Sequence, residues 1–448
     1  MTSSDPYRWS AVDDDSVSAA GEPSTRIRYR VIAVSIAMAF ILYLDRVCLG
    51  EIIKNESFRA DFGASKEQLG EVLGAFFFTY ALFQVPAGWA SDRFGARRML
   101  TIYIILWSLM TGITGWASTI STLLLARLAF GVAQAGAYPT SSGVVRRWFP
   151  LQRRGIASGW ISFGGRLGGT LAPFLTTVLI IGLGSWRSVL VSYFLVGLVV
   201  ALLYAWVVRD DPEQHPGVND GELRLIANPP EPLRPTWRQF FGTLQACSLN
   251  RSLWLNSASQ FGTNVGWTFL ITWLPSYLAD SQSVAAVKGA TMVTLVLAVG
   301  MPGQLIGGFL GDAAVSKLGL RWGRVFVPAV ALTTAGCAYL ACLSLQSIWL
   351  IVACCAVVSI MTDISNPSTW AFMQDVGGTN TAAVFGWANM WGNFGAAFSA
   401  WLVPQLMTWG EASGQGTDLV FIFCGGAFFV AAAMTLGMDA TRKVHVGG

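Results

Sequence analysis

Gly88-Trp89-Ala90-Ser91-Asp92-Arg93-Phe94-Gly95-Ala96-Arg97-Arg98 joins one long apolar run to the next through a short loop packed with charge. A shorter version returns in the second half of the chain: Gly307-Gly308-Phe309-Leu310-Gly311-Asp312, followed by Lys317, Arg321 and Arg324. The glycines let such a loop turn tightly between two helices. The same loop at the same place in each half reads as an internal duplication, a common way of building transporters. A machine that rocks two similar bundles around one central site needs that symmetry; a receptor or a structural membrane protein does not.

Composition agrees. Of 448 residues, 53% are hydrophobic and only 12% are charged. A soluble domain carries about 25% charged residues, so this chain cannot cover a globule of its size with polar side chains, and a soluble enzyme is excluded. Its outer surface faces lipid, where every backbone polar group has to be satisfied within the fold. The seven cysteines lie mostly in apolar runs with no CxxC pair, and read as small buried hydrophobes. The two histidines, His215 and His445, fall in a polar loop and in the C-terminal tail. A proton relay or metal site built on imidazole within the membrane is therefore excluded, and no cofactor is expected. Residues 1–25 are polar, include Asp13-Asp14-Asp15 and lack the apolar core of a signal peptide.

A membrane crossing needs about 20 apolar residues. Twelve such stretches can be marked: 29–50, 70–90, 98–117, 121–143, 156–182, 188–208, 253–279, 288–311, 325–345, 348–372, 381–407 and 418–438. The expected fold is an all-α polytopic membrane protein: a tail over 1–28, a six-helix bundle over 29–208, a cytoplasmic linker over 209–252, a second six-helix bundle over 253–438 and a short tail over 439–448. With the N-terminus inside, 21 of the 29 Lys and Arg residues fall on the inner side and five on the outer side, leaving Arg46, Arg127 and Arg166 within spans. That bias places both termini in the cytoplasm.

The loop Gly88–Arg98 resembles the signature of the major facilitator superfamily, G-x3-D-R-x-G-x-[RK]-[RK]. Further segments resemble its anion:cation symporter family, which includes sugar-acid and aromatic-acid permeases and vesicular and lysosomal organic-anion carriers. These are Tyr43-Leu44-Asp45-Arg46 in span one, Arg127 through Pro139 in span four, Trp148-Phe149-Pro150 with Arg153-Arg154-Gly155, Trp273-Leu274-Pro275-Ser276-Tyr277-Leu278 in span seven, and Asn389 with Asn393 in span eleven. The resemblance covers about 30–438. It implies a twelve-span fold of two pseudo-symmetric bundles, with arginines of spans one and four attracting a substrate carboxylate and acidic residues of the same spans carrying a proton. Arg46, Arg127 and Asp45 fit. Gln134 stands two turns after Arg127, where the family usually has Glu. The resemblance also implies that Asp92, Arg93, Arg97 and Arg98, with Asp312 in the repeat, latch the cytoplasmic side; otherwise they only set the topology.

Intramembrane charges each cost on the order of 2.5–3.5 kcal/mol on insertion scales, so they face a wet cavity or one another. Asp45, Arg46 and Arg127 lie at similar heights, and an Asp45–Arg127 pair is possible. Arg166 sits near the midplane with Gln134 at a similar depth. Three guanidiniums against one carboxylate favour an anionic substrate held by the planar fork of arginine. The structural alternatives are an Asp45–Arg46 pair, a packing clamp at Arg127, and an Arg166 that pairs with a carbonyl or with Asp363. In the second half, Asp363 lies before Ser368, Trp370 and the helix-kinking Pro367. Gln260 with Asn264, and Asn389 with Asn393, share helix faces at i, i+4. These amides, Ser368 and Trp370 would take hydroxyls or a ring, and Tyr43 and Tyr80 would offer phenols; interhelical hydrogen bonding and packing are the alternatives.

A small organic carboxylate, such as a sugar acid, is thus the expected partner, carried by a monomer in a bacterial inner membrane, with no nucleic acid involved. Asp45, helped by Asp363, would carry a coupling proton. Because a Gln cannot take up a proton, an uncoupled facilitator, an anion exchanger or a sodium-linked carrier is the alternative, and a non-transporting nutrient sensor a remote one. No nucleophile–His pair or phosphate-binding loop points to an enzyme.

Overall fold

A computed structural model of the chain describes residues 22–226, 235–237, 239–282, 284–413 and 417–444. Most of the N-terminal tail, the Pro229–Pro232 stretch of the linker and His445 lie outside the described residues. The described residues form helices and connections, with no strand among them.

In the first half, span one is Ile27–Ile52, span two Lys66–Phe94, span three Ala96–Trp116, span five Arg154–Leu183 and span six Trp186–Val207. Span four comes in two pieces, Ile120–Gln134 and Ala137–Trp148. Reciprocal capping boxes start spans two and four: Ser65 with Gln68, and Thr119 with Thr122. Gly95 separates spans two and three at φ 95°, a left-handed conformation that glycine adopts without strain. In the second half, span seven starts at Arg251 behind an N-cap, Asn250, whose side chain accepts from Leu253 N at 2.9 Å. It runs as an α-helix to Thr268 and then through two π turns, Phe269–Trp273 and Tyr277–Ser281, on either side of Pro275. Spans eight and nine form one long helical stretch, Ala286–Ala341, broken at Gly319 (φ 76°, ψ 172°). Span ten is Ile348–Gly377, span eleven Thr381–Ser413 and span twelve Asp418–Leu436.

Nine helical stretches among the described residues are long and apolar enough to cross a membrane, and two of these, of 57 and 63 residues, are each long enough for two crossings. Span seven is not among them. Its buried face carries Asn256, Ser257, Ser259 and Gln260, so it is polar inward rather than apolar throughout. Large apolar side chains such as Phe78, Ile181, Trp206 and Phe309 point outward and are more than two-thirds exposed, as a lipid-facing belt requires. Five of the seven cysteines are buried, while Cys337 faces outward.

The 209–252 stretch is not merely a tether. Its short helix Asp220–Ile226 brings Glu222 under the start of span one, where the carboxylate accepts from Ile27 N and Arg28 N at 2.9 Å each and from Thr25 Oγ1 at 2.6 Å. A side chain from the linker thus satisfies the free amide groups of the first transmembrane helix and complements its positive end. Asp210 accepts from Arg97 N at 2.8 Å at the start of span three. The two halves meet mainly along spans two and eleven and along spans five and eight.

Candidate functional site

At the end of the molecule that holds the linker, the duplicated loop forms two matching latches. Asp92, at the end of span two, accepts from Ala382 N and Ala383 N at 3.0 and 2.9 Å, at the start of span eleven. Asp312, at the corresponding end of span eight, accepts from Gly155 N and Ile156 N at 3.0 and 2.8 Å, at the start of span five. Each carboxylate caps a helix N-terminus of the opposite half, where free N–H groups and the helix dipole favour an anion. Glycine makes the approach possible: a Cβ at Gly88 would overlap the Ala382 carbonyl, and one at Gly308 would overlap the backbone of Gly155 and Ile156.

Around Asp312 the latch extends. Arg324 Nη1 lies 2.9 Å from Asp312, its Nε lies 2.8 Å from Asp375, and Arg154 reaches Asp375 at 2.7 Å. Arg324 Nη2 donates to Leu151 O at 2.7 Å, and Gln374 to Ser158 Oγ at 2.9 Å, so this network also crosses between the halves. The three arginines of the first loop do not cross. Arg93 donates to Pro235 O in the linker at 2.8 Å and stacks near Trp237, while Arg97 donates to Ala205 O at 2.7 Å. Arg98 is exposed at the start of span three. The expectation that all three arginines hold the halves together is corrected: of the predicted gate residues, the two carboxylates do so, because only they sit at the helix ends that meet the other half.

Above the latches an aromatic layer, Tyr138 against Trp370 and Trp370 against Phe385 with ring centroids 4.8 and 5.0 Å apart, floors a cavity of about 140 Å³. From the first half the cavity is lined by Tyr43, Arg46, Tyr80 and Arg166, and from the second by Gln260, Asn264, Asp363, Trp370, Asn389 and Asn393. These ten predicted residues converge from spans one, two, five, seven, ten and eleven. The Trp370 ring is taken up by its two aromatic neighbours.

Arg46 is held from three sides. Its guanidinium lies 4.7, 4.9 and 4.4 Å from the ring centroids of Tyr43, Phe76 and Tyr80, a geometry that favours a cation over π faces. Its Nε donates to Gln134 Oε1 at 3.2 Å, while Gln134 Nε2 donates to Leu42 O at 2.9 Å, which fixes the amide with its oxygen toward the arginine. Arg46 Nη2 is buried and has no partner among the described residues. Arg166, on span five, stacks 3.9 Å over the Trp267 ring of span seven and contacts Asp363 of span ten at 2.5 Å. Asp363 Oδ1 also accepts from Gln304 Nε2 at 2.9 Å. Of the alternatives for Arg166, the structure therefore shows both pairing with Asp363 and an opening onto the cavity. Across the same space Asn389 donates to Gln84 Oε1 at 2.6 Å, joining spans eleven and two.

Four predicted residues stand behind the cavity wall. Arg127 is buried beneath Phe76 and Phe130 and donates to Arg46 O at 3.4 Å. Asp45 is buried and, among the described residues, neither of its oxygens has a hydrogen-bond partner, with Arg127, Trp107 and Thr111 facing it. Gln134 supports Arg46 without lining the cavity. Ser368 packs against Gly311 in the seam with span eight, because the cavity face of span ten runs through Asp363, Asn366 and Trp370 and Ser368 falls off that face. The direct ligand roles expected for Arg127, Gln134 and Ser368 do not fit these positions. Residues the sequence reading missed include Trp267, Tyr138, Thr263 and Asn366 in the lining, Gln304 behind Asp363, and Gln84, Arg154 and Asp375 in the links between the halves. Arg154 and Asp375 carried a signal, being charges at the ends of apolar helices, but nothing in the sequence paired them.

Comparison with known proteins agrees with this architecture. The Major Facilitator Superfamily model matches residues 36–400. Over 94% of its length the chain is 28% identical to the "Probable sulfoacetate transporter SauU" of Cupriavidus necator, covering 95% of that protein. It is 27% identical, over 94% of each chain, to the "Probable galactarate/D-glucarate transporter GudP" of Bacillus subtilis. Among solved structures, a double Trp mutant of XylE superposes with a TM-score of 0.73 at 13% identity, covering 94% of this chain and 97% of that one. The human organic anion transporter MFSD10 gives 0.69 at 14% identity, covering 92% and 100%. At those identities the superpositions speak for the fold alone, whereas the family match spans most of the chain. It is a multi-pass membrane transport protein, not an enzyme, and belongs to the Major Facilitator Superfamily.

Proposed function

We propose that this protein carries a small organic anion, a sugar acid or another carboxylate, across the membrane by alternating access and in symport with protons. One observation carries the reading: the guanidiniums of Arg46 and Arg166 open on a single polar cavity between the two halves. Cations retained at that depth serve a purpose when an anion passes them. Relatives named for sulfoacetate and for galactarate and glucarate support the substrate class. In this reading the linker end and both termini face the cytoplasm, which the bias of basic residues supports, and the membrane is bacterial, which the bacterial relatives support. In this reading the protein is a monomer that rocks about the cavity, and the closed latches support its outward-facing state. Rocking would part Asp92 from span eleven and Asp312 from span five, and close the opposite end.

In this proposal Asp45, helped by Asp363, takes the coupling proton. An arriving anion draws the neighbouring guanidinium away, and a carboxylate left buried without a cation neutralises itself with a proton. A second reading has its own support: Gln134, an amide that cannot titrate, sits against Arg46 where an acid would complete a coupling pair. It makes the protein a facilitator, an exchanger or a sodium-linked carrier. Uptake of a labelled carboxylate into proteoliposomes separates the two. Acceleration by an inward proton gradient at constant membrane potential is the expected result; equal rates with and without the gradient would reject proton symport.

A further inference from the structure

Arg166 lies outside the motifs that carry the family resemblance, yet it holds one of the strongest contacts in the cavity. The contact is to a carboxylate of the other half, through Nη2 alone. The guanidinium carbon lies 3.9 Å from the centre of the Trp267 ring, and the Arg166 side chain keeps 23% of its surface open, against 1% for Asp363. So Arg166 presents further donors to the cavity while one edge is occupied. Asp363 spends Oδ1 on Arg166 and Gln304 and leaves Oδ2 buried without a partner among the described residues. Arg46, the other guanidinium in the lining, leaves Nη2 unmatched. The site therefore holds one carboxylate where two guanidiniums could each take one.

We propose that the site takes a small dianion, with one anionic group on Arg46 and the other on Arg166 in the place of Asp363, which takes up a proton from solvent as it is displaced. The proposal rests on the transporter reading above and names its substrate class. Charge balance supports it. In and directly behind the cavity wall stand three guanidiniums, Arg46, Arg127 and Arg166, and two carboxylates, Asp45 and Asp363. A dianion added to these leaves one negative charge too many in a low-dielectric zone, and protonating Asp363 removes it. Binding alone leaves Asp45 charged against Arg127, and its own coupling proton follows in the later rocking step. Packing leaves Asp363 little else to answer to: span five supplies Arg166, span eight supplies neutral Gln304 beside Gly300 and Gly303, and the remaining titratable groups nearby, Tyr43 of span one and Tyr138 of span four, face Arg166. Planar forks favour two-point contact with carboxylate or sulfonate. The cavity of about 140 Å³ holds several waters, and so has room for a small charged molecule.

The test uses purified full-length protein and pairs of ligands that differ in one charge: sulfoacetate against methylsulfonylacetate, and succinate against succinamate, at pH 7.5. Calorimetry in two buffers of different ionisation enthalpy gives affinity and proton count together. The expected result is at least about tenfold tighter binding of each dianion, with about one proton taken up per dianion. In Arg166→Gln the ratio within each pair falls toward one, and in Asp363→Asn a dianion binds without proton uptake. Equal affinities within both pairs for the unmodified protein, no proton uptake, or a ratio that survives in Arg166→Gln would overturn the proposal. Equal binding of all four ligands leaves the transporter reading standing and removes this one; binding of none removes both.

Discussion

The same loop, used twice, builds two latches of unequal depth. Asp92 and Asp312 each cap the second and third residues of a helix in the opposite half, at nearly equal distances. There the likeness stops. Asp312 is tied through Arg324 to Asp375 and Arg154, a buried network of four charges, whereas around Asp92 the arginines of the loop turn to the linker and to their own half. The cap was preserved in both copies because it uses only a carboxylate and a helix end. The network occurs once because it needs an acid at the end of span ten and a base at the start of span five. The halves divide the cavity as unevenly: cations come from the first, amides from the second.

Removing the centre of the deeper latch should have the largest effect. Arg324 is wholly buried, and Arg324→Ala takes the cation from Asp312 and leaves Asp375 with Arg154 alone, at a cost of about 3–5 kcal/mol. The thermal midpoint in detergent should fall most in this variant, and a cysteine placed at Ser158, now buried against Gln374, should become reactive from the cytoplasmic side. Asp312→Asn comes next, since it weakens the helix cap and leaves Arg324 with one partner fewer. Asp92→Asn, which disturbs only the cap, should cost about 1–3 kcal/mol. An equal or reversed order of the two Asn variants would show that the network adds nothing to the cap. The smallest structural change sharpens the comparison of the cavity walls: Gln134→Glu keeps the volume, adds charge beside Arg46 and gives up the bond to Leu42 O. It should make uptake more dependent on the proton gradient; unchanged dependence would detach coupling from this position.

The fold was legible because its evidence is local and periodic: apolar runs, a repeated loop and a one-sided distribution of Lys and Arg. Span seven shows where that evidence thins. Its inward amides lower its hydropathy, and they do so because they line the cavity. In the site, Arg46, Asp363 and the two amide pairs could be found, since a polar group in an apolar helix announces itself. Arg127 could be placed in height but not in direction. Rise along a helix gives depth, while each residue turns the side chain by about 100°, and the turn put Arg127 behind Arg46. Ser368 was misplaced by the same angular step. The Arg154–Asp375 pair joins residues 221 positions apart, a distance over which no pattern in a single sequence reaches.

The central claim is that Arg46 meets the substrate while Arg127 stands behind it. Titrating a small carboxylate into the Arg46→Ala and Arg127→Ala proteins, side by side with the unmodified protein, tests this most directly. The account predicts that affinity is lost, by about a hundredfold or more (~2.7 kcal/mol), in Arg46→Ala, with a smaller loss in Arg127→Ala that follows the displacement of Arg46. A dissociation constant nearly unchanged in Arg46→Ala would contradict it.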